Sequence, residues 1–289
     1  MTGTGTAQEA KITTVATALA GRLASAGLDC IVPDWPAPAH VGGLSTTRIG
    51  GVSTGAAATM DLRLATGAAM PAAAMAALAR NRRRLDAFLP APPVWLSQVH
   101  GTAVAVLGAG NLASARAAPP VADAAVTREC GVVCAVRTAD CLPVLFADRA
   151  GTVAGVAHAG WRGLAAGVLE ATVAALAALG GAPRDLIAWF GPAIGPAAFE
   201  VGNDVRDAFA ASDPDSLRCF APAGEGKWLA DLDALARRRL ATAGVHDVFG
   251  GGFCTVAGAT RFYSHRRARD TARMATLVWL APGASGPRI

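Results

Sequence analysis

Apolar residues along the chain form short runs bounded by turn residues, a pattern typical of buried strands. The runs of strand length are VWLSQVH (94–100), GVVCAVRT (131–138), PVLFAD (143–148), TVAGVAH (152–158), LIAWF (186–190) and MATLVWL (274–280). Residues 148–151 separate two of these runs directly, so they predict a hairpin turn. We therefore expect a sheet with at least one antiparallel pair.

Three longer segments carry helical patterns. Residues 71–88 predict a helix that ends in the basic sequence NRRRL. Residues 164–179 contain Glu170 as their only charged residue and stop at a Gly-Gly pair, which predicts a largely buried helix. Residues 229–243 place acids early and arginines late, in agreement with the helix dipole. Strands and helices mix without regular alternation, which favours a single α/β or α+β domain with a mixed sheet.

The composition supports a folded chain, because 53% of its 289 residues are hydrophobic and 16% are charged. Residues 1–30 form a polar and then alanine-rich lead-in, and we predict an N-terminal extension there and one domain over 31–289. Six cysteines are too sparse for a disulfide framework, and no uncharged apolar run reaches membrane-spanning length. We expect a cytoplasmic protein without a membrane segment.

The net charge of +5 and the pI of about 9.2 raise the question of nucleic-acid binding. The arginines are scattered, and the sequence contains no aromatic-interleaved basic face or known reader motif. We therefore expect no nucleic-acid partner. An anionic small-molecule substrate fits the positive charge equally well.

Three segments finish a strand on a residue able to bind a transition metal: His100 in SQVHG, Cys141 in TADCLP and His158 in AHAGWRG. Two imidazoles and one thiolate form a tetrahedral zinc site with one position free for water or substrate. The same donors also bind copper. Taken singly, a histidine at a strand end or a lone cysteine is more often structural, and the spacing alone does not show that the three converge.

Two other interpretations of these residues remain open. Cys141 can act as a nucleophile with His100 or His158 as its base, without any metal. Alternatively, the metal stabilises a binding protein that is not an enzyme. Loss of turnover on chelation, with recovery on adding zinc, distinguishes a metalloenzyme from both.

Charged residues near these motifs are candidates for supporting roles. Asp140 precedes Cys141, and Asp123 interrupts the apolar sequence VADAAV, so either can orient an imidazole or serve as a general base. Asp123 is equally consistent with a simple turn residue. Arg48 lies beside a Gly-Gly loop and Arg162 follows His158, so either can bind a phosphate or carboxylate.

Taken together, these motifs resemble the laccase-domain family, also called multicopper polyphenol oxidoreductases. The matching segments are STTRIGGVS, PVWLSQVHG, VCAVRTADCLPVLF, VAHAGWRGLAAGVLE, AWFGPAIGPAAFEVG and RMATLVWL, and the resemblance spans about residues 31 to 281. It implies a layered αββα fold with mixed sheets over a laccase-domain-like catalytic domain. It also implies that His100, Cys141 and His158 bind the metal, with zinc favoured and copper as the alternative.

The resemblance implies several activities. The first is zinc-dependent phosphorolysis of adenosine, inosine, guanosine and methylthioadenosine, with adenosine deamination. The second is an amidase that removes wrongly incorporated serine from cytoplasmic UDP-MurNAc-peptide precursors of peptidoglycan. A copper polyphenol oxidase is the third, and five histidines are too few for several copper centres. We expect the nucleoside activity, with Cys141, His100, His158 and Asp140 as catalytic residues.

Arg48, Asp61, Trp161, Arg162 and Arg266 are the expected substrate-binding residues. Three positions depart from the family pattern: Asp61, Ala68, which stands where an acidic residue is common, and His265. Asp61 stands where the family tends to have an asparagine, which adds negative charge and removes amide donors. His265 takes the place of a tyrosine within Ser-His-Arg-Arg. These departures bear on substrate preference more than on metal binding.

Overall fold

The computed structural model describes residues 17–64, 70–269 and 272–281. The strands are β1 (Cys30–Ile31), β2 (Val41–Thr46), β3 (Val104–Val106), β4 (Ala124–Thr127), β5 (Val133–Thr138), β6 (Leu142–Asp148), β7 (Ala154–Ala159), β8 (Leu186–Phe190), β9 (Glu200–Gly202), β10 (Phe220–Gly224), β11 (Lys227–Ala230), β12 (Asp247–Gly250) and β13 (Met274–Leu280). The α-helices are α1 (17–25), α2 (Ala72–Asp86), α3 (Leu112–Ala117), α4 (Trp161–Ala166), α5 (Val168–Ala178), α6 (Asn203–Ala210), α7 (Leu232–Thr242) and α8 (His265–Ala268). Short 3-10 turns cover Gly55–Ala57, Pro183–Asp185 and Pro214–Cys219.

Two sheets form the centre of the domain. The larger has six strands in the order β12-β8-β6-β7-β4-β3, and its outer pairs β12/β8 and β3/β4 are parallel while the pairs between them are antiparallel. The second is an antiparallel sheet in the order β1-β2-β13-β5. A small antiparallel sheet, β10-β11-β9, lies apart from both. The expected mixed sheet is thereby confirmed.

Apolar side chains fill three successive interfaces between layers. Between the two large sheets, residues such as Val136 and Val278 of one pack with Leu145 and Val156 of the other. On the far side of the six-stranded sheet, a second cluster joins it to α5 and α7. On the far side of the four-stranded sheet, a third cluster joins it to α1 and α2. This order of layers confirms the αββα sandwich.

The predicted strands 131–138, 143–148, 152–158, 186–190 and 274–280 correspond to β5, β6, β7, β8 and β13. All seven residues of β6 are buried, because helices and the second sheet cover both of its faces. The hairpin turn predicted at 148–151 is also present. The Gly151 N–H donates to the Asp148 carbonyl, and Gly151 has a φ of 69°.

The prediction of a strand at residues 94–100 is wrong, since this segment forms only isolated bridges at Val94 and Ser97. The reason lies in Gln98. Its side-chain amide donates to the Arg137 carbonyl, and its side-chain oxygen accepts from the Arg137 N–H. A side chain thus occupies backbone groups that a neighbouring strand would otherwise bind.

The helix predicted over 164–179 is two helices. Gly167, with a φ of 102°, ends α4 and begins α5, and α4 starts earlier than predicted, at Trp161. The helices predicted over 71–88 and 229–243 are present as α2 and α7. Asp231 caps α7 by accepting the Ala234 N–H.

The N-terminal extension predicted at 1–30 lies partly outside the described residues, which begin at 17. From there, α1 packs on the four-stranded sheet, and Leu23 is buried in the same cluster as Leu44. Residues 270 and 271 are also outside the described part. Within that part, none of the helices combines the length and apolar character needed to cross a bilayer.

Candidate metal centre

Three potential ligand atoms meet at one end of the two large sheets. Cys141 directly precedes β6 and His158 lies in β7, and the antiparallel register places Pro143 opposite His158. His100 comes from the loop before β3 and has a φ of 61°. The ligand atoms of the three residues all lie within 4.8 Å of one another, with the Cys141 Sγ 3.8 Å from the His100 Nε2.

Asp123 organises both histidines. This fully buried carboxylate accepts the His158 Nδ1–H at 2.8 Å, which directs the His158 Nε2 towards the cysteine. It also accepts the backbone N–H groups of Val99, His100 and Gly101 at 3.1, 2.9 and 2.7 Å. Of the two roles considered for Asp123, the contacts support orientation of an imidazole, because its oxygens are occupied by these donors.

The electrostatics favour a thiolate in this place. Burial alone raises the pKa of the Cys141 thiol, but the charge of His158 and hydrogen bonds from both imidazoles outweigh burial and lower that pKa. Burial opposes a charged His158 ring, yet the Cys141 thiolate and the Asp123 carboxylate raise the pKa of His158. For Asp123, hydrogen bonds from His158, Gly101 and Val99 overcome burial and lower the pKa.

Gly160 provides the space in which the ligands meet. A Cβ atom at this position would lie 2.8 Å from the His100 Cδ2 and 3.0 Å from the Cys141 Sγ. One turn later, a Cβ at Gly163 would lie 2.9 Å from the Gly101 carbonyl oxygen. The small residues after His158 therefore allow α4 to approach the His100 loop closely.

The three residues fit a transition metal. Metal bonds of about 2.0–2.3 Å in a tetrahedral arrangement place ligand atoms roughly 3.5 Å apart, so the Cys141–His100 pair is already near this spacing. The other separations, at most 4.8 Å, would each have to shorten by no more than about 1.5 Å around a bound ion. His158 is 3% exposed, whereas His100 faces solvent. The site therefore has a buried side made by protein and an accessible side.

The accessible side opens into a cavity of about 480 Å³. A volume of this size is typical of small-molecule sites. The residues around the cavity, besides the three candidate ligands, are Leu64, Ser97, Gln98, Arg137, Thr138, Ala139, Arg162, His265 and Arg273. Arginine and histidine side chains thus supply most of its charge.

Of the expected substrate-binding residues, Arg162 lines this cavity, with its guanidinium 4.4 Å above the Trp161 ring. Trp161 itself supports Arg162 from outside the lining. Arg48 is elsewhere: its Nε donates to the Ala58 carbonyl and its Nη1 to the Ala259 carbonyl, each at 3.0 Å. Arg48 thus links the loop that contains Ala58 to the loop that contains Ala259.

Asp140 and Arg266 are also tied to the protein. The two Asp140 carboxylate oxygens accept the Thr255 hydroxyl at 2.5 Å and the Arg266 N–H at 2.6 Å. The Arg266 Nη1 donates to the Glu200 carbonyl. Neither residue lines the cavity. Their hydrogen bonds instead hold together the chain segments around it.

Of the departures from the family pattern, Ala68 is outside the described residues, and the other two lie in different surroundings. Asp61 is buried, pairs with the Arg63 guanidinium and accepts the backbone N–H of Arg273 at 3.0 Å, outside the cavity lining. His265 begins α8 and does line the cavity. A substitution at His265 therefore reaches the space next to the candidate ligands, while Asp61 acts through the residues it holds.

Sequence reasoning missed Gln98, Arg137 and Arg273, all of which line the cavity. A signal for Arg137 was present, because it is the one charged residue within the apolar run GVVCAVRT. Gln98 similarly interrupts an apolar run two residues before His100. A polar side chain inside a buried strand pattern indicates a specific contact.

The fold and the site together define an αββα sandwich in which three candidate metal ligands lie at the wall of one cavity. Comparison with known families makes the assignment specific. The chain belongs to the multi-copper polyphenol oxidoreductase laccase family, whose model matches residues 43–281. The resemblance inferred from the motifs is confirmed.

Relatives of known sequence cover most of the chain. It is 49% identical over 252 residues to a purine nucleoside phosphorylase of Pseudomonas aeruginosa, with 86% of this chain and 98% of that protein covered. It is similarly 49% identical to the purine nucleoside phosphorylase YfiH of Escherichia coli, with the same coverage.

The fold of the chain matches those of solved crystal structures. A crystal structure of a Neisseria meningitidis protein matches with a TM-score of 0.79 and 47% identity, covering 88% of this chain and 99% of that one. YlmD from Geobacillus stearothermophilus matches with a TM-score of 0.76 and 31% identity, covering 84% and 93% respectively.

Proposed function

We propose that this chain is a zinc-dependent purine nucleoside phosphorylase that also deaminates adenosine. The observation that carries the proposal is the meeting of His100, Cys141 and His158 at the wall of a cavity large enough for a small substrate. Relatives that match over nearly their whole length are named purine nucleoside phosphorylases, which supports the choice of substrate.

His100, Cys141 and His158 would hold the ion, which when bound supplies Lewis-acid activation beside the cavity. We favour zinc because two imidazoles and a thiolate leave one position free, as in catalytic zinc sites. Copper accepts the same donors. Within the described part of the chain, no second group of three such ligands lies together, so we do not propose phenol oxidation coupled to the four-electron reduction of oxygen.

The protein's own groups have separable roles in this proposal. Asp123 keeps the Nδ1 proton of His158 in place, so that the His158 Nε2 carries a lone pair towards the ion. Arg162, stacked on Trp161, presents positive charge to an anionic reactant. Asp140 acts indirectly, because its hydrogen bonds to Thr255 and Arg266 hold the loop before Cys141.

We also propose a cytoplasmic location. All six cysteines are free thiols in the structure, and free thiols persist in a reducing compartment. We infer that the cavity binds a small molecule and that the protein has no nucleic-acid or membrane partner.

The test is incubation of zinc-loaded protein with adenosine, with and without phosphate. We expect inosine under both conditions, and adenine, hypoxanthine and ribose 1-phosphate only when phosphate is present. Cys141→Ser should abolish turnover, whereas the matched change Cys219→Ser, at a half-buried thiol away from the centre, should preserve it.

Absence of any nucleoside product from the zinc-loaded protein would refute the proposal. In that case, release of serine from a UDP-MurNAc-peptide would support the amidase alternative. Turnover that survives complete chelation but is lost on alkylation of Cys141 would instead support the metal-free cysteine nucleophile.

A further inference from the structure

We propose that Arg137, together with Arg273, forms the phosphate subsite of this cavity. The inference rests on the proposed phosphorolysis and assigns its second substrate to particular residues. Arg137 lies in β5 opposite Ala275 of β13, next to Thr138, and both arginines line the cavity that contains the candidate metal ligands.

Several guanidinium groups lie close to Arg137. Burial, together with the nearby guanidinium groups of Arg82 and Arg273, lowers the pKa of Arg137 to about 10, while Asp61 opposes the shift. Asp61 already pairs with Arg63 and accepts the Arg273 N–H. Asp61 and Asp86 offset these like charges only in part, because the pKa values of Arg82 and Arg137 remain lowered, so the half-buried cluster favours a bound anion.

The Arg137 side chain is fixed but retains donor capacity. The Gln98 side chain bonds to both the backbone N–H and the backbone carbonyl of Arg137. The Arg137 Nη2 donates to the Leu96 carbonyl at 2.7 Å. Its Nε is buried and has no hydrogen-bond partner among the described residues. A guanidinium held in place with an unsatisfied donor is well suited to an oxyanion, and its several N–H groups match two oxygens at once.

The other arginines considered for this role are less suitable. Arg48 and Arg266 direct guanidinium donors to backbone carbonyls and do not line the cavity. Arg162 lines the cavity but is exposed and stacked on Trp161, so it is screened by solvent. Arg137 is the less exposed of the two lining residues and therefore the stronger electrostatic partner.

The phosphate held there would enter the reaction as the nucleophile. One of its oxygens forms a bond to C1′ of the ribose while the C1′–N9 bond breaks, and the bonding pair leaves with the purine. The proton of the attacking phosphate is transferred to the purine, so the products are free base and ribose 1-phosphate. Arginine contacts to the remaining oxygens would fix the phosphate for this attack.

The test compares Arg137→Met, Arg137→Lys and the control Arg184→Met, which removes the same charge at a side chain that is 85% exposed. In zinc-loaded full-length protein, the KM for phosphate and the KM for inosine are measured separately. Isothermal titration of the same proteins with inorganic phosphate gives a second measurement that does not depend on turnover.

For Arg137→Met we expect the KM and the dissociation constant for phosphate to rise by about tenfold or more, with the KM for inosine changed by less than about twofold. Arg137→Lys should lie between wild type and Arg137→Met, because lysine keeps the charge without the planar fork. Arg184→Met should match wild type. Thermal unfolding of each variant without phosphate verifies that it is folded.

Unchanged phosphate constants in folded Arg137→Met and Arg137→Lys would overturn the inference while leaving phosphorolysis intact. A rise only in the KM for inosine would also overturn it, by placing the nucleoside at Arg137. If wild-type protein consumes no nucleoside but Arg137→Met weakens binding of inorganic phosphate, the anion subsite stands and the proposed function fails. Weaker binding of a substrate-borne phosphate or carboxylate alone would contradict a subsite for free phosphate.

Discussion

At the residue scale, the centre depends on groups that orient the candidate ligands as much as on the ligands themselves. Asp123 bonds to the His158 ring and to the backbone of the His100 loop, so one carboxylate positions two of the three ligands. Gly160 leaves free the space beside the third ligand, Cys141, and His100 that a side chain would occupy. Both residues can be tested without altering a ligand.

Asp123→Asn should weaken metal binding by about 10–100-fold, because the amide cannot offer the same acceptors to His158 and the three N–H groups. Competition with a chromogenic chelator measures the affinity, and circular dichroism monitors the fold. Asp207→Asn, at an exposed carboxylate, is the matched control and should bind like wild type. Equal affinities in both variants would remove Asp123 from the account.

Gly160→Ala should reduce metal content strongly, since the added methyl group would lie 3.0 Å or less from atoms of His100 and Cys141. Metal analysis of the purified variant tests this directly. Gly110→Ala adds the same methyl group in open space and should leave metal content unchanged. Full metal occupancy in Gly160→Ala would show that the two side chains move apart without cost.

The sequence allowed the three ligands to be proposed because each ends a strand-like run. Their convergence was not predictable from the residues alone, since it depends on the pairing of β6 with β7 and on the loop that Asp123 holds. The resemblance supplied the ligand set. Arg48 was chosen for its neighbouring glycines, but local sequence cannot show that backbone carbonyls consume its donors.

At the scale of the elements, Gly167 separates α4 from α5 and lets α4 turn towards the site. Its φ of 102° is disfavoured for residues with a Cβ. The apolar pattern of residues 164–179 runs through Gly167 without a break and therefore predicts one helix. Such a pattern depends on which side chains are buried and does not show the backbone angle of a single residue. A glycine inside an apolar helix pattern was the available signal.

Gly167→Ala should lower the free energy of unfolding by about 1–2 kcal/mol, because alanine is strained at this positive φ. Gly21→Ala, in the exposed face of α1 with no atoms near the added methyl group, should raise it by about 0.5–1 kcal/mol. Chemical denaturation of the two variants measures the contrast. A stabilised Gly167→Ala variant would contradict the role given to this glycine.

At the scale of the whole molecule, the αββα layering rests on contacts between segments far apart in the chain. In the four-stranded sheet, β13 lies between β2 and β5, so a strand from the C-terminal part of the chain pairs with one from the N-terminal part. Local patterns predicted most of these strands but not their order, because pairing is decided by packing between layers. The layer order came from the family resemblance.

A long-range ion pair also joins the two ends of this domain. Asp29, just before β1, accepts the Arg261 Nε–H and Nη2–H at 2.8 Å, and these bonds keep the pKa of Asp29 below its usual 3.8. The unfolded chain therefore takes up a proton here at higher pH than the folded one. The contribution of this pair is full above pH 3.8 and is lost as the pH falls through the lower, folded pKa.

Asp29→Asn should lower the free energy of unfolding at neutral pH by about 1 kcal/mol or less, since both side chains are partly exposed. The difference from wild type should shrink as the pH falls below 4, because wild type then loses the same contact. Denaturation across this range, with Asp34→Asn as an exposed control, measures the effect. A difference that grows on acidification would have the wrong sign.

The central claim is that His100, Cys141 and His158 bind one ion and leave it an open position. Titration of metal-free protein with Co²⁺, followed by its absorption spectrum, tests this most directly. We predict saturation at a single equivalent, a tetrahedral visible spectrum and a thiolate charge-transfer band that Cys141→Ser removes and Cys219→Ser retains. A spectrum without a thiolate band, or binding that is unchanged in Cys141→Ser, would contradict the claim.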